Sequence, residues 1–419
     1  MFCSCLMNQF AKEVPRVRQI VANDLSSQAV EFIKRNIQSN DVENLVLPVN
    51  KEATSFMYEH RALKERFDVV DLDPYGSAAK FLDAAVQCVC DDGLLMVTCT
   101  DVAVLCGNTP ETCYAKYGSM SLKSKCCHEI AIRILISSID SRANCYGRFV
   151  EPLLSVSVDF YVRVFLLIKT GPSMAKRSKS LIYQCGSCES FVLQSLARQV
   201  ATSGGSKFTN ALGPPVQKTC KYCGGNFRVS LIKLIAGPIW SAPIHDMQFV
   251  ERVLGQVESM KGTDMQLGTT ARLIGVLKVV REYIASSYAK AKFFMVSLFY
   301  YYCIITSVAV RSAILNGNYR VSASHACPSA VKTDAPNDFI WNIMQAWAKL
   351  CLPSSKLSKL DERSPAYRIL SLPMKNEINF NEHPLCEPTS KAEGCLRYQM
   401  NPEKNWGPRS KAKIKHGAS

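Results

Sequence analysis

Apolar and polar positions along the first 170 residues switch repeatedly between short continuous runs and helical spacing. Arg18–Asn23 is a short apolar strand candidate ending at Asp24. Ser26–Ile37 follows with Ala29, Val30, Ile33 and Ile37 on one helical face. Leu45–Leu47 is a second short strand running toward Glu52, and Phe67–Leu72 a third ending at Asp73. Ala78–Cys90 has helical spacing, Gly93–Thr100 is a fourth strand, and Lys125–Ser138 is a further helix. Ser155–Lys169 is rich in Val and Phe and suits paired strands at a sheet edge. Strand and helix in alternation predict an α/β domain, a parallel sheet with covering helices, over residues 10–170.

Gly171–Lys179 turns to Gly, Pro, Ser and Lys and is expected to be a linker. A Cys-containing module is expected over 180–243, and an α+β region over 244–380 with helices at Asp246–Met260, Thr269–Ser286 and Asp334–Leu350. Apolar residues thin out beyond Asn381, so 381–419 is expected to be a basic, disordered tail. The uncharged run Phe293–Val310 is at the lower length limit for a membrane span. Its three consecutive Tyr, with Ser and Thr, suit a buried strand or core equally well, and a membrane role is the weaker reading.

Charge changes the picture more than composition does. Fifty Lys and Arg stand against thirty-five Asp and Glu, a formal net charge of +15. Such a field attracts polyanions, with nucleic acid the leading partner and an anionic membrane second. Nineteen Cys are scattered through apolar segments, and Met1–Lys12 has no secretory pattern. Reduced thiols in nucleus or cytoplasm, with a mitochondrion also open, fit that usage.

Four of the thiols are spaced differently. Cys185-Gly-Ser-Cys188 and Cys220-Lys-Tyr-Cys223-Gly-Gly are paired knuckles of the kind that supply four thiolates to a structural Zn²⁺. The competing reading is four unrelated buried thiols.

Three strand ends carry acids: Asp24, Glu52 (followed by Ala53) and Asp73. In open α/β sheets ligands bind at the carboxyl ends of strands, where an acid can hold ribose hydroxyls. Individually each is as well explained as a helix cap or a solvated charge. The third end, Asp71-Leu-Asp73-Pro74-Tyr75-Gly76, resembles the Asp-Pro-Pro-Tyr type motif of enzymes that methylate exocyclic amines. A ring amine is a poor nucleophile because its lone pair is delocalised. A carboxylate (Asp73) and a carbonyl (Pro74) accepting its hydrogens aim that lone pair and stabilise developing positive charge. Tyr75 offers a stacking surface for an extruded base. Two alternatives stay open here: an Asx-Pro turn with no chemistry, and the Asp-x-Asp pair of haloacid-dehalogenase-like phosphatases.

Further blocks carry a wider resemblance. They include Val21–Asp24, Phe67–Gly76, Val97–Asp101, Glu111–Tyr114 with Lys116–Gly118, Arg142–Tyr146 and Asp159–Val164. Pro243–Asp246, Ser324–Ala326, Val331–Pro336, Ser364–Ala366 and Asn405–Pro408 extend it. Together they resemble the tRNA (guanine-26-N2)-dimethyltransferases. The resemblance implies a Rossmann-like core using S-adenosyl-L-methionine, a zinc-bearing insertion and a C-terminal domain assisting tRNA binding. It puts the catalytic acid on Asp73 and the cofactor acids on Asp24 and Glu52, beside Ala53; the family usually has Asp where Glu52 stands. It also implies a Gly-rich first strand-turn ahead of Phe10–Pro15, which Met1–Gln9 does not match. The expectation is therefore a truncated core with weak cofactor binding and little activity, or a non-catalytic, zinc-containing RNA-binding chain of the same descent.

Overall fold

The computed structural model describes residues 4–171, 179–202, 205–213, 215, 217, 219–225, 233–286, 292–295, 305–351, 353 and 360–398. Helix α1 (Ser4–Glu13) leads into strand β1 (Ile20–Asn23), α2 (Ser27–Ser39), β2 (Val46–Val49) and α3 (Ala53–Glu59). Ser26 caps α2 by accepting from the Ala29 amide, and Val30, Ile33 and Ile37 bury the face that the spacing predicts. Next come β3 (Phe67–Leu72), α4 (Leu82–Cys88), β4 (Val89–Cys99), α5 (Val102–Leu105), α6 (Pro110–Tyr117) and α7 (Cys127–Asn144). A hairpin of β5 (Arg148–Val158) and β6 (Tyr161–Thr170) closes the α/β region.

The strands do not form one sheet. β1 pairs with β2 in parallel, while a separate sheet has the order β3-β4-β6-β5. Only β3 and β4 are parallel in the larger sheet; β6 runs antiparallel to both neighbours. Among the described residues no strand bridges β1 and β3. This departs from the expected continuous parallel sheet. The β1–β2 unit has its own small core, built on Met7, Ala22, Ile33 and Val46.

Strands β7 (Lys179–Cys185), β8 (Phe191–Ser195) and β11 (Lys233–Trp240) form a sheet, and β9 (Ala197–Thr202) with β10 (Gly205–Asn210) a hairpin. Helices α8 (Met247–Ser259) and α9 (Thr270–Ser286) follow, then β12 (Lys292–Met295), α10 (Ser307–Asn316), β13 (Val321–Ala323), β14 (Ala330–Thr333) and α11 (Asn337–Cys351). Short helices α12 (Pro365–Ser371) and α13 (Thr389–Ala392) end the described chain. Residues 180–243 serve two cores: Ile182, Ile239 and Trp240 join the α/β core, whereas the knuckle cysteines join a second core with Val331, Phe339, Trp341 and Ile369.

Helix α7 is the hub. It is buried along most of its length, and its Arg133 donates to the carbonyls of Trp240 and Ala242. Glu129 pairs with Arg133 at 2.9 Å and with the buried Lys332 of β14. Burial works to raise the Glu129 carboxyl, but the Lys332 and Arg133 charges overcome it and hold it below its ordinary value.

Two expectations change. The apolar run is not one element: Phe293–Met295 lie in β12, paired with β14, and Ser307–Val310 open α10. Residues 296–304 lie outside the described residues, and no described helix is long and apolar enough to cross a membrane. The start of the expected tail is ordered. Arg311 donates to the Cys386 carbonyl, the Ser390 amide to Glu282 at 2.6 Å, and Tyr398 to the Ser324 carbonyl at 2.7 Å. These contacts compensate for the scarcity of apolar residues. Residues 399–419 lie outside the described residues.

Candidate active site and metal centre

The loops after β1 and β2 are tied to one another. Asn23 donates to the Lys51 carbonyl and accepts from its amide, both at 3.0 Å. Asn50 donates to the carbonyls of Asp24 and Leu25. Asp24 accepts from the Ser26 amide at 2.8 Å, which turns the chain into α2. Glu52 caps α3, accepting from the Ser55 amide at 2.7 Å. Hydrogen bonds from the Ser55 and Thr54 amides lower its pKa, so it stays ionised. A carboxylate has room for about four hydrogen bonds, so these amide bonds do not exhaust either acid.

At the end of β3 the chain turns through Gly76 at φ +80°, in the left-handed region that favours glycine. The Gly76 amide donates to Thr100 Oγ1, and the Thr100 amide donates back to the Gly76 carbonyl, each at 2.8 Å. Beneath the turn Ser77 Oγ lies 2.7 Å from Tyr117 Oη, which donates to Asp101 at 2.7 Å. Lys116 pairs with the same carboxylate at 3.1 Å. Burial pushes the Tyr117 phenol well up, keeping it a donor. Thr100, Asp101 and Tyr117 stand in the quoted blocks, yet nothing in their spacing pointed to this support.

The two acids of Asp71-Leu-Asp73 part company. Asp71 is largely buried and pairs with Arg163 of β6 at 2.9 Å. Its pKa is raised by burial, which outweighs Arg163, with Asp73 adding to the rise. Asp73 instead lines a cavity of about 190 Å³. With Asp71 committed to Arg163, a paired-carboxylate phosphatase reading loses one of its two acids.

That cavity draws its walls from both sheets. Asn23, Asp24 and Leu25 follow β1, Glu52 and Ala53 follow β2, and Leu72, Asp73 and Pro74 follow β3. Lys80 and Phe81 complete it, the ammonium 4.7 Å from the ring centroid. The sequence reading missed both, because they sit in what looked like the first turn of a longer helix; α4 begins only at Leu82. Tyr75 is not part of the lining. It stands on the turn, 81 % exposed.

The four knuckle cysteines converge. All four are buried, with Cys185–Cys223 and Cys188–Cys220 sulfur separations of 3.6 and 3.7 Å. A tetrahedral Zn²⁺ with bonds of about 2.3 Å places its sulfurs about 3.8 Å apart, so the set fits such an ion. The residues after each knuckle, Glu189 and Gly224, both have positive φ and return amides to Cys185 and Cys220. A Cβ at Gly225 would lie 3.2 Å from Cys223 Sγ, leaving little room for a side chain there. Tyr222 donates to Asp338 of α11, and Arg368 of α12 donates to the Gly224 carbonyl.

Acids at the ends of β1 and β2, facing an Asp-Pro-Tyr-Gly turn at the end of β3, are the layout of an α/β methyltransferase fold. Residues 8–345 match the family model for N2,N2-dimethylguanosine tRNA methyltransferase, and the chain belongs to that family. The human tRNA (guanine(26)-N(2))-dimethyltransferase is 48% identical over 97% of this chain and 60% of its own length. The Caenorhabditis elegans enzyme of the same name is 43% identical over 97% of this chain and 77% of its own. The chain thus spans about 60% of the length of the human relative. Pyrococcus horikoshii Trm1, solved with S-adenosyl-L-methionine, superposes with a TM-score of 0.65 at 25% identity, covering 80% of this chain and 85% of that one.

Proposed function

We propose that the chain transfers methyl groups from S-adenosyl-L-methionine to the exocyclic N2 amine of guanine-26 in tRNA, once and then again. The observation that carries this is the single cavity lined by Asp24, Glu52, Ala53, Asp73 and Pro74. Asp24 and Glu52 hold the nucleoside part of the cofactor, Asp24 through ribose hydroxyls and Glu52, with Ala53, near the adenine. When bound, the cofactor supplies an electrophilic methyl group. Asp73 and the Pro74 carbonyl accept the amine hydrogens, turning the nitrogen lone pair toward that methyl, and Asp73 stabilises the charge that develops on nitrogen. The exposed ring of Tyr75 stacks on the extruded guanine. The four-cysteine set holds a structural Zn²⁺, with no position left for water.

The test is run at saturating donor. Labelled methyl transfer to unmodified tRNA, compared with the same tRNA carrying adenine at position 26, should show incorporation that depends on the guanine. No incorporation, together with tRNA binding that falls log-linearly with salt, would favour the non-catalytic RNA-binding reading.

A further inference from the structure

The knuckle thiols are not the only ligating groups that the fold gathers. Cys106 follows directly on α5, while Cys127 and His128 open α7. The Cys106 and Cys127 sulfurs and a ring nitrogen of His128 all lie within 4.8 Å of one another. Cys106 Sγ is 3.9 Å from His128 Nδ1. That is close to the edge of a coordination tetrahedron with bonds of about 2.0–2.3 Å. Each of the three is partly buried, so the group is sheltered but reachable.

Two thiolates and one imidazole are a soft donor set that favours zinc-class ions over hard cations such as magnesium or calcium. A plain thiol pair would need no imidazole beside it; here the ring nitrogen completes a third corner. Cys126, next in sequence, is occupied elsewhere, 3.2 Å from Ser124 Oγ.

We propose that Cys106, Cys127 and His128 form a second site for a thiophilic divalent cation, three-coordinate from protein and open at the fourth position. The ion clamps the end of α5 to the start of α7. Helix α5 begins just after Asp101, the carboxylate that holds Lys116 and Tyr117 under the Gly76 turn. The clamp therefore steadies the support of the turn that carries Asp73. It is independent of the Cys185–Cys223 set, which lies in the other core.

The test is a Co²⁺ titration of the full-length chain after metal removal under reducing conditions, followed by thiolate-to-cobalt absorption. The site predicts that Cys106→Ala and His128→Ala each take up one ion fewer than the parent chain. They should keep the absorption that Cys188→Ser removes. Equal uptake by the parent chain and both variants overturns the proposal. If a variant does not fold, the parent chain decides alone: added Zn²⁺ should slow iodoacetamide modification of Cys106 and Cys127, read by peptide mass. Identical modification with and without Zn²⁺ overturns it.

Discussion

Around the strand-end cavity Leu25 is 72 % and Tyr75 81 % exposed, whereas in the knuckle centre Cys188 and Cys223 are 1 % exposed. The cavity borrows its walls from two sheets whose strands are not paired with one another among the described residues; the cysteine centre is packed by Tyr222, Trp341 and Ile369 into one continuous core. Both regions are rich in groups able to take a ligand. They differ in what those groups do without one. Asp24, in the turn before α2, and Glu52, the cap of α3, remain partly solvated, which water tolerates well. Four converging buried thiols have little else to satisfy them and, on the proposed reading, depend on an ion. Residues poised for a transient ligand can thus be altered at little cost to the fold, while residues holding a resident one cannot.

The sharpest way to break this contrast is Cys188→Ser or Cys223→Ser. Removing a structural ion from the second core should cost about 5 kcal/mol or more, with about one zinc per chain lost by elemental analysis. A metal-free chain that melts like the parent would remove one side of the comparison. The charged hub comes next. Glu129→Ala leaves Lys332 and Arg133 buried without their shared counter-charge, an expected loss of about 3–5 kcal/mol by denaturant titration. A loss below about 1 kcal/mol would mean that the hub is hydrated.

Acid should find the same buried region. His245 and His325 face each other with ring centroids 5.5 Å apart, and each accepts a backbone amide of β5, from Ser155 and Ser157. Burial lowers both, His325 to about 3 with Lys332 adding to the fall and Glu129 opposing it. The unfolded chain takes protons on these rings from about pH 6.5 downward while the folded chain resists. Their stabilisation is therefore complete above pH 6.5 and is lost as pH falls toward 3, at about 1.4 kcal/mol per pH unit per histidine. His325→Gln should flatten the dependence of stability on pH between 6.5 and 4.5; an unchanged slope would contradict the assignment. The smallest effect belongs to the open site. Tyr75→Ala should change stability by less than about 0.5 kcal/mol while weakening engagement of the target base by about 1–3 kcal/mol, read as a drop in methylation at limiting tRNA.

Where local pattern and fold agree, the chain was legible. The Phe67–Leu72 strand, the helices that open at Ser26 and Asp246 and the β5–β6 hairpin follow from the periodicity of apolar positions. The strand-end acids were legible because sheets deliver their carboxyl ends to one edge, and the structure brings Asp24, Glu52 and Asp73 to one cavity. Helix α4 was misjudged at both ends: Ala78–Phe81 form a turn, and the chain from Val89 is drawn into β4 by pairing that no local window contains. The packing of 381–398 was hidden because backbone carbonyls and amides anchor it as much as apolar side chains do. Likewise the meeting of Cys106 with Cys127 and His128 depends on how α5 and α7 abut, which spacing alone does not encode.

The central claim is that Asp73 acts on a ligand and does not hold the fold. It is tested most directly by comparing Asp73→Ala with the parent chain in one assay at saturating donor, following labelled methyl transfer to unmodified tRNA alongside thermal unfolding of the same preparations. The account predicts that transfer falls by about 10²–10³-fold while the melting temperature stays within about 2 °C of the parent. Undiminished transfer, or a collapse in stability that accounts for the loss, would contradict it.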